Sequence, residues 1–330
     1  MMQAPKFWYA APSKRAALLR PLSWVFIFLG WVRTLVTRPV TVKVPVICVG
    51  NLVVGGAGKT PVVQTLVRFF KGRGYKVAVI SRGYGGCYQT KVLKVVPSCH
   101  TAKEVGDEPL MHAALTDTYV GRNRGAAARY AEQEGAEILI LDDGLQNPSL
   151  KHSLRLCVID ARKQFGNGYI IPAGPLRQNL QQGLKSVDGF VVLGQERIKL
   201  DTRLPIIQAS INMNKEDWAW LRGKKVLAFA GLAHPKKFFT LLRSENVDVM
   251  ETQCFPDHHL YSAHDIQQLR QQASNLGAWL ITTEKDWVRL SLKERHEIKP
   301  IRIYLELQDH QALRRMLEPI LQSQKEVQKC

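Results

Sequence analysis

Between residues 44 and 200 short apolar runs alternate with stretches whose apolar positions recur at helical spacing. The runs Val46–Val49, Lys76–Ile80, Val92–Val96, Thr118–Val120, Glu137–Leu141, Leu156–Ile159 and Gly189–Leu193 predict strands. The stretches Lys59–Arg73, Glu108–Ala114 and Asn123–Glu134 predict helices. Strands alternating with helices argue for a mostly parallel sheet covered on both faces. Ligands of such sheets bind beyond the carboxyl ends of the strands. From about residue 222 the pattern restarts, with strands at Lys225–Ala230, Val247–Cys254, Trp279–Thr282 and Arg302–Leu307. Helices are expected at Pro235–Ser244, from Ser262 (a capping arrangement with Asp265) to Asn275, at Lys285–Leu290 and over 309–325. This predicts two α/β units, 41–215 and a smaller 216–330, with the boundary near Asn212–Gly223 and no internal repeat.

Residues 1–40 differ. Basic and aromatic positions (Lys6, Phe7, Trp8, Tyr9, Lys14, Arg15, Arg20) precede an apolar helix that Pro21 suits at its first turn and Arg38-Pro39 at its end. The apolar core, Leu22 to Val32, is short for a membrane span, which takes about 20 residues. A signal peptide lacks its small-residue cleavage site here. The reading is an interfacial or partly inserted anchor, with Trp24 and Trp31 near the headgroups and arginines facing phosphates. Docking on the protein's own core and a single span are the alternatives.

Charge reinforces this reading. The 330-residue chain carries a net charge of +18, yet no Asp or Glu precedes Glu104, so the excess lies mainly in the first third. Such a block favours an anionic partner: nucleic acid, an anionic membrane surface or a phosphorylated substrate. It coincides with an aromatic apolar helix rather than an RNA-reading motif, which argues against a nucleic-acid-binding ATPase. With 45% hydrophobic and 22% charged residues, the chain reads as globular. Cys48, Cys87, Cys99, Cys157, Cys254 and Cys330 form no CxxC pair, so neither a disulfide framework nor a zinc site is expected, and the compartment is a reducing one.

The stretch Val44–Phe70 places a glycine-rich turn between an expected strand and an expected helix. Gly55, Gly56, Ala57 and Gly58 let successive backbone N–H groups converge on phosphate oxygens, at the positive end of the following helix. Lys59 would neutralise the β- and γ-phosphates, and the Thr60 hydroxyl would reach Mg²⁺. The first glycine of G-x-x-x-x-G-K-[ST] is replaced by Val53. Asp142 and Asp143, ending the apolar run Ile138–Leu141, supply the acid that a phosphate-loop enzyme needs for its metal. Asp107 and Glu108 are carboxylates in an acid-poor region, where a kinase needs a group to accept the proton of the attacking hydroxyl. Asp257-His258-His259 is a polar loop with general-base potential, and nothing in it announces a metal site. Asn214-Lys215-Glu216-Asp217 matches the guanine-reading N-K-x-D, but no D-x-x-G accompanies it.

In order along the chain, GNLVVGGAGKTP, SRGYGG, VGDEP, LDDGLQ, PAGPLR, FPDHHLY and TTEKD follow the basic apolar helix, and together they resemble the tetraacyldisaccharide 4′-kinase (lipid A 4′-kinase) family over nearly the whole chain. That family also lacks the first glycine. The resemblance implies a P-loop kinase-like, doubly wound, two-lobed α/β fold. It implies transfer of the ATP γ-phosphate to the 4′-hydroxyl of a tetraacylated glucosamine disaccharide 1-phosphate, at the cytoplasmic face of a bacterial inner membrane. It assigns Lys59 and Thr60 to phosphates and Mg²⁺, Asp142 and Asp143 to the metal's vicinity, and Asp107 with His258 or His259 to activation of the hydroxyl. It marks Arg82, Tyr84, Arg122 and Arg177 as substrate or phosphate contacts. Two positions depart from the family pattern: Asn147 where His is usual and Gln178 where Glu is usual. The rival of another class is a membrane-associated nucleotide switch, which would leave the acids at 107–108 and the histidines without a task.

Overall fold

The computed structural model describes residues 5–11, 13–88, 91–196 and 198–327. In chain order the strands are β1 (Val46–Gly50), β2 (Val77–Ser81), β3 (Leu93–Lys94), β4 (Asp117–Val120), β5 (Ile138–Asp142), β6 (Leu154–Asp160), β7 (Gly189–Leu193) and β8 (Ile206–Met213). There follow β9 (Lys225–Ala230), β10 (Asp248–Cys254), β11 (Trp279–Thr283), β12 (Lys299–Ile301) and β13 (Ile303–Leu307). Nine strands form one sheet in the order β13-β8-β7-β6-β1-β5-β2-β4-β3, and four form a second, β10-β9-β11-β12. Pairing in the large sheet is parallel except at its two edges, where β3 and β13 run antiparallel to β4 and β8. Strand order reverses around β1, which lies between β5 and β6, and this opens the crevice where ligands enter doubly wound sheets.

Burial explains the elements. Strand β1 is buried along its whole length, as a central strand covered on both faces requires. Helix Lys59–Lys71 covers one face with Val62, Val63, Leu66, Val67 and Phe70; helix Arg124–Gln133 covers the other with Ala127, Ala128 and Ala131. The small sheet is sandwiched by Phe238, Phe239 and Leu242 on one face and Ile266, Leu269 and Ala273 on the other.

The small lobe ends earlier than the expected 216–330 unit. Strand β13 pairs with β8 of the large sheet, Ile303 opposite Met213 and Leu307 opposite Ala209. Helix His310–Val327 then packs Leu313, Met316, Leu317, Ile320 and Leu321 into the same core as helix Lys59–Lys71. Its apolar stripe needs a partner, and the large sheet has the uncovered surface. Strand β8 and helix Lys215–Leu221 occupy the expected boundary. Asn214 is that helix's N-cap, and buried Asp217 pairs with Arg302 and Lys299, so the N-K-x-D match is an ion-paired structural element. Cys48 and Cys157 are buried free thiols and Cys87, Cys99 and Cys254 exposed ones; Cys330 lies outside the described residues.

The N-terminal helix runs from Lys14 to Val36, capped by Ser13, so it begins before Pro21 and carries that proline inside. Only Ala16 and Ser23 are buried, whereas Leu18, Trp24, Phe28, Leu29 and Trp31 stand exposed. It is long and apolar enough to cross a membrane by length and composition. Ser23 Oγ donates to Ile170 O at 2.8 Å, and Trp8 Nε1 to Pro172 O at 3.0 Å, tying the segment to the loop before Arg177.

Candidate functional site

The glycine-rich turn leaves the carboxyl end of β1 and closes at Gly58, the N-cap of helix Lys59–Lys71. Gly58 has φ of +83°, a left-handed backbone that favours glycine, and a Cβ there would lie 2.3 Å from Leu193 Cδ1, so that side chain would have to move. Val53 is buried and bridges antiparallel to Leu176; Val54 N donates to Pro175 O at 2.8 Å and Arg177 N to Leu52 O at 2.9 Å. A valine at the nominal glycine position is therefore a strand-like brace against the PAGPLR segment, which delivers Arg177 to the site.

Asp142 ends β5 and Asp143 follows it, its N donating to Val49 O at 2.9 Å beside this turn. Asp143 accepts from Arg177 Nη1 at 2.9 Å and faces Lys59 Nζ at 3.6 Å. Burial pushes the Asp143 carboxyl up, but Lys59 and then Arg177 outweigh it and hold it below the ordinary range. Asp142 Oδ2 lies 3.4 Å from Nε2 of buried His112, and its buried Oδ1 has no partner among the described residues. An unpartnered carboxylate oxygen of a residue that lines the same cleft as Thr60, at the second position of the helix, suits a hard cation. Among the described residues no group of three or more His, Cys, Asp or Glu forms a self-contained metal cage.

Across the cleft, His258 Nδ1 is 2.8 Å from Asp107 Oδ2, and Arg289 Nη2 donates to the same oxygen at 2.6 Å. Burial raises the Asp107 carboxyl, but the His258 and Arg289 hydrogen bonds reverse this and hold it far below the ordinary range. An ionised carboxylate only accepts, so Nδ1 of His258 donates to Asp107; in the neutral imidazole this leaves Nε2 as the acceptor. Asp107 is nearly buried, whereas His258 lines the cleft. The structure separates the two histidines. His259 stacks on Phe255 at 4.8 Å and pairs with Asp265 at 3.1 Å, away from Asp107. Asp265 is also the capping acid of helix Ala263–Leu276. His259 thus has a structural environment rather than a place in the site.

Backbone crowding sets Tyr84 beside His258. A Cβ on Gly106 (φ +91°) would lie 2.5 Å from Tyr84 O, so the SRGYGG and VGDEP turns interlock, and the Tyr84 ring meets the His258 ring at 6.0 Å. Lys59, Thr60, Arg82, Tyr84, Arg122, Asp142, Asp143, Arg177 and His258 all line one cleft of about 1510 Å³, with Gly55, Gly56, Ala57 and Gly58. A single drug-sized ligand takes ~300–1,000 Å³, so the cleft has room for two reactants. It continues to Phe26, Ile27, Gly30, Trp31 and Arg33 of the N-terminal helix. Gln178 lines it too, and so does Asn147, whose Oδ1 accepts from Ser149 N at 2.8 Å.

Sequence reasoning missed three groups. Arg124 is buried on the cleft wall; burial and then Arg82 lower its guanidinium to about 10. Lys285 Nζ donates to Glu108 at 2.9 Å, and Arg289 holds Asp107. The TTEKD motif was visible, but its link to VGDEP was not, because the two meet only across the lobes.

A phosphate loop, paired aspartates at the end of the adjacent strand and an Asp–His pair whose histidine faces the cleft define a nucleotide-dependent phosphotransferase of the α/β class. The chain belongs to the tetraacyldisaccharide-1-P 4′-kinase family, whose sequence profile matches residues 15–322. It is 41% identical to the tetraacyldisaccharide 4′-kinase of Rhodospirillum centenum over 97% of both chains. It is 40% identical to that of Hyphomonas neptunium, over 97% of this chain and 98% of the relative. The crystal structure of LpxK from Aquifex aeolicus in complex with ATP superimposes with a TM-score of 0.78 at 26% identity, covering 92% of this chain and 99% of that one.

Proposed function

We propose that this protein transfers the γ-phosphoryl group of ATP to the 4′-hydroxyl of a tetraacylated glucosamine disaccharide 1-phosphate. The observation that carries this reading is the common cleft: phosphate loop, His258, with buried Asp107 behind it, and apolar N-terminal helix open onto one space. An acceptor with a sugar headgroup and acyl chains needs such a polar floor with an apolar wall.

The loop amides and Lys59 hold the nucleotide phosphates, and Arg177 and Arg82 add charge where the transferring group becomes more negative. Thr60 and Asp142 would hold Mg²⁺, with Asp143 nearby; when bound, the ion would supply positive charge against the nucleotide phosphates. His258, oriented by Asp107, accepts the proton of the attacking hydroxyl through Nε2. Tyr84 and Arg122 flank the acceptor. Most of the catalytic effect is positioning, which two lobes meeting over one cleft supply.

The exposed Trp24, Phe28, Leu29 and Trp31 enter the membrane boundary from the cytoplasmic face, and the cations around them face anionic headgroups. The test is label transfer from radiolabelled ATP to the purified disaccharide 1-phosphate in detergent. Nucleotide hydrolysis without lipid labelling would favour the nucleotide-switch reading.

A further inference from the structure

Arg289 is fully buried and belongs to the small lobe, between β11 and β12. A buried guanidinium must be paired and hydrogen-bonded to be tolerated. Asp286 supplies the counter-charge, while Arg289 Nε has no partner among the described residues. Arg289 Nη1 donates to Asp286 Oδ1 at 2.7 Å and to Gly231 O at 2.8 Å. Asp286 also accepts from Gly231 N at 3.0 Å, Tyr261 Oη at 2.9 Å and Thr283 Oγ1 at 2.7 Å. The ion pair is thus held rigidly within its own lobe. Its other terminal nitrogen nevertheless reaches out, 2.6 Å to Asp107 Oδ2 in the large lobe. That oxygen is the one His258 Nδ1 engages. Val288 beside it packs with Val105, Leu110 and Met111 around the helix that Asp107 begins, so the contact is part of an apolar lobe junction.

We propose that Arg289 is a positioning residue: anchored by Asp286, it fixes Asp107 from the opposite lobe, so that His258 finds an oriented, charged carboxylate only where the two lobes meet. The inference rests on the reading of Asp107 and His258 as the proton-accepting pair. Arginine suits the task because its planar fork bonds two acceptors in fixed directions, which a lysine cannot do.

The consequence for pH follows from what surrounds Asp107. His258 and Arg289 touch it, Lys285 stands at 4.0 Å, and Glu108 is paired with Lys285. Asp286 backs Arg289, while Asp257, 3.8 Å from His258 Nε2, and the Tyr84 ring face the histidine. Loss of the guanidinium leaves the proton more welcome on Asp107. A protonated Asp107 no longer orients His258, so the acidic limb of the rate profile moves to higher pH.

The experiment uses the full chain in detergent, with ATP and the lipid acceptor, and the variants Arg289→Gln, Arg289→Lys and Asp107→Asn. Arg289→Gln is expected to lower kcat about 10²-fold with the KM for ATP unchanged, and to raise the acidic limb by about 1 pH unit. Arg289→Lys keeps the charge that the fold needs, and should recover the limb while kcat stays about tenfold low for want of the fork. If Arg289→Gln does not fold, Arg289→Lys decides, through the same fall in kcat at unchanged KM for ATP. Wild-type kcat and pH profile in the folded Arg289 variants, with Asp107→Asn inactive, overturn this inference alone. An active Asp107→Asn overturns the reading of the pair on which it rests.

Discussion

His258 Nδ1 and Asp107 Oδ2 stand 2.8 Å apart across a junction between two lobes, although 151 positions separate them in the chain. Neither lobe contains the pair by itself. The adjacent His259 shares none of it, being stacked on Phe255 and bonded to Asp265. Replacing each histidine by alanine therefore separates chemistry from structure. His258→Ala should lower kcat by about 10²–10⁴-fold with little change in nucleotide binding. His259→Ala should keep kcat within severalfold and lower the melting temperature. Initial rates and thermal melts of the two variants check this.

Much of this site was legible in the residues. GGAGKT after a buried run and LDDG after another fix the phosphate end, because strand-turn-helix order and local glycine chemistry are short-range properties. The choice between His258 and His259 was not legible: adjacent side chains point in different directions, and only the packing of Phe255 and Tyr261 decides which faces Asp107. Arg289 carried no local signal, since its role depends on a contact with a residue of the other lobe. The same limit explains the C-terminus. Its strand and helix were expected at nearly their observed bounds, but adjacency in sequence placed them with the wrong sheet.

That placement makes the C-terminal helix a stabiliser of the nucleotide-binding lobe. Leu317 is fully buried among Val63, Leu66 and Phe70 of the shared core. Leu317→Ala should cost about 2–5 kcal/mol, read by urea unfolding. ATP should protect the variant against unfolding, as binding to the native state does. A loss below about 1 kcal/mol would contradict the packing.

Acid sensitivity has a local source in His152. Burial and then Arg155 depress its imidazole from 6.5 to about 4. Between those values the unfolded chain takes up a proton that the folded one refuses, so stability is lost as pH falls through this window. His152→Gln should flatten the fall in melting temperature between pH 6.5 and 4. An unchanged slope would show that other groups govern acid unfolding.

The N-terminal helix offers a separate check. Its exposed Trp24, Phe28 and Trp31 have no place in the protein's own core. Removing residues 1–40 should reduce sedimentation with vesicles containing anionic lipid, and slow lipid phosphorylation more than it weakens ATP binding. Equal partitioning with and without the segment would contradict the anchor.

The most direct measurement is the transfer itself, with purified protein, radiolabelled ATP, Mg²⁺ and the disaccharide 1-phosphate lipid in detergent. The account predicts label on the lipid at the 4′-position, lost in Lys59→Ala and His258→Ala. Nucleotide hydrolysis with no labelled lipid, or labelling that survives His258→Ala at the wild-type rate, would contradict it.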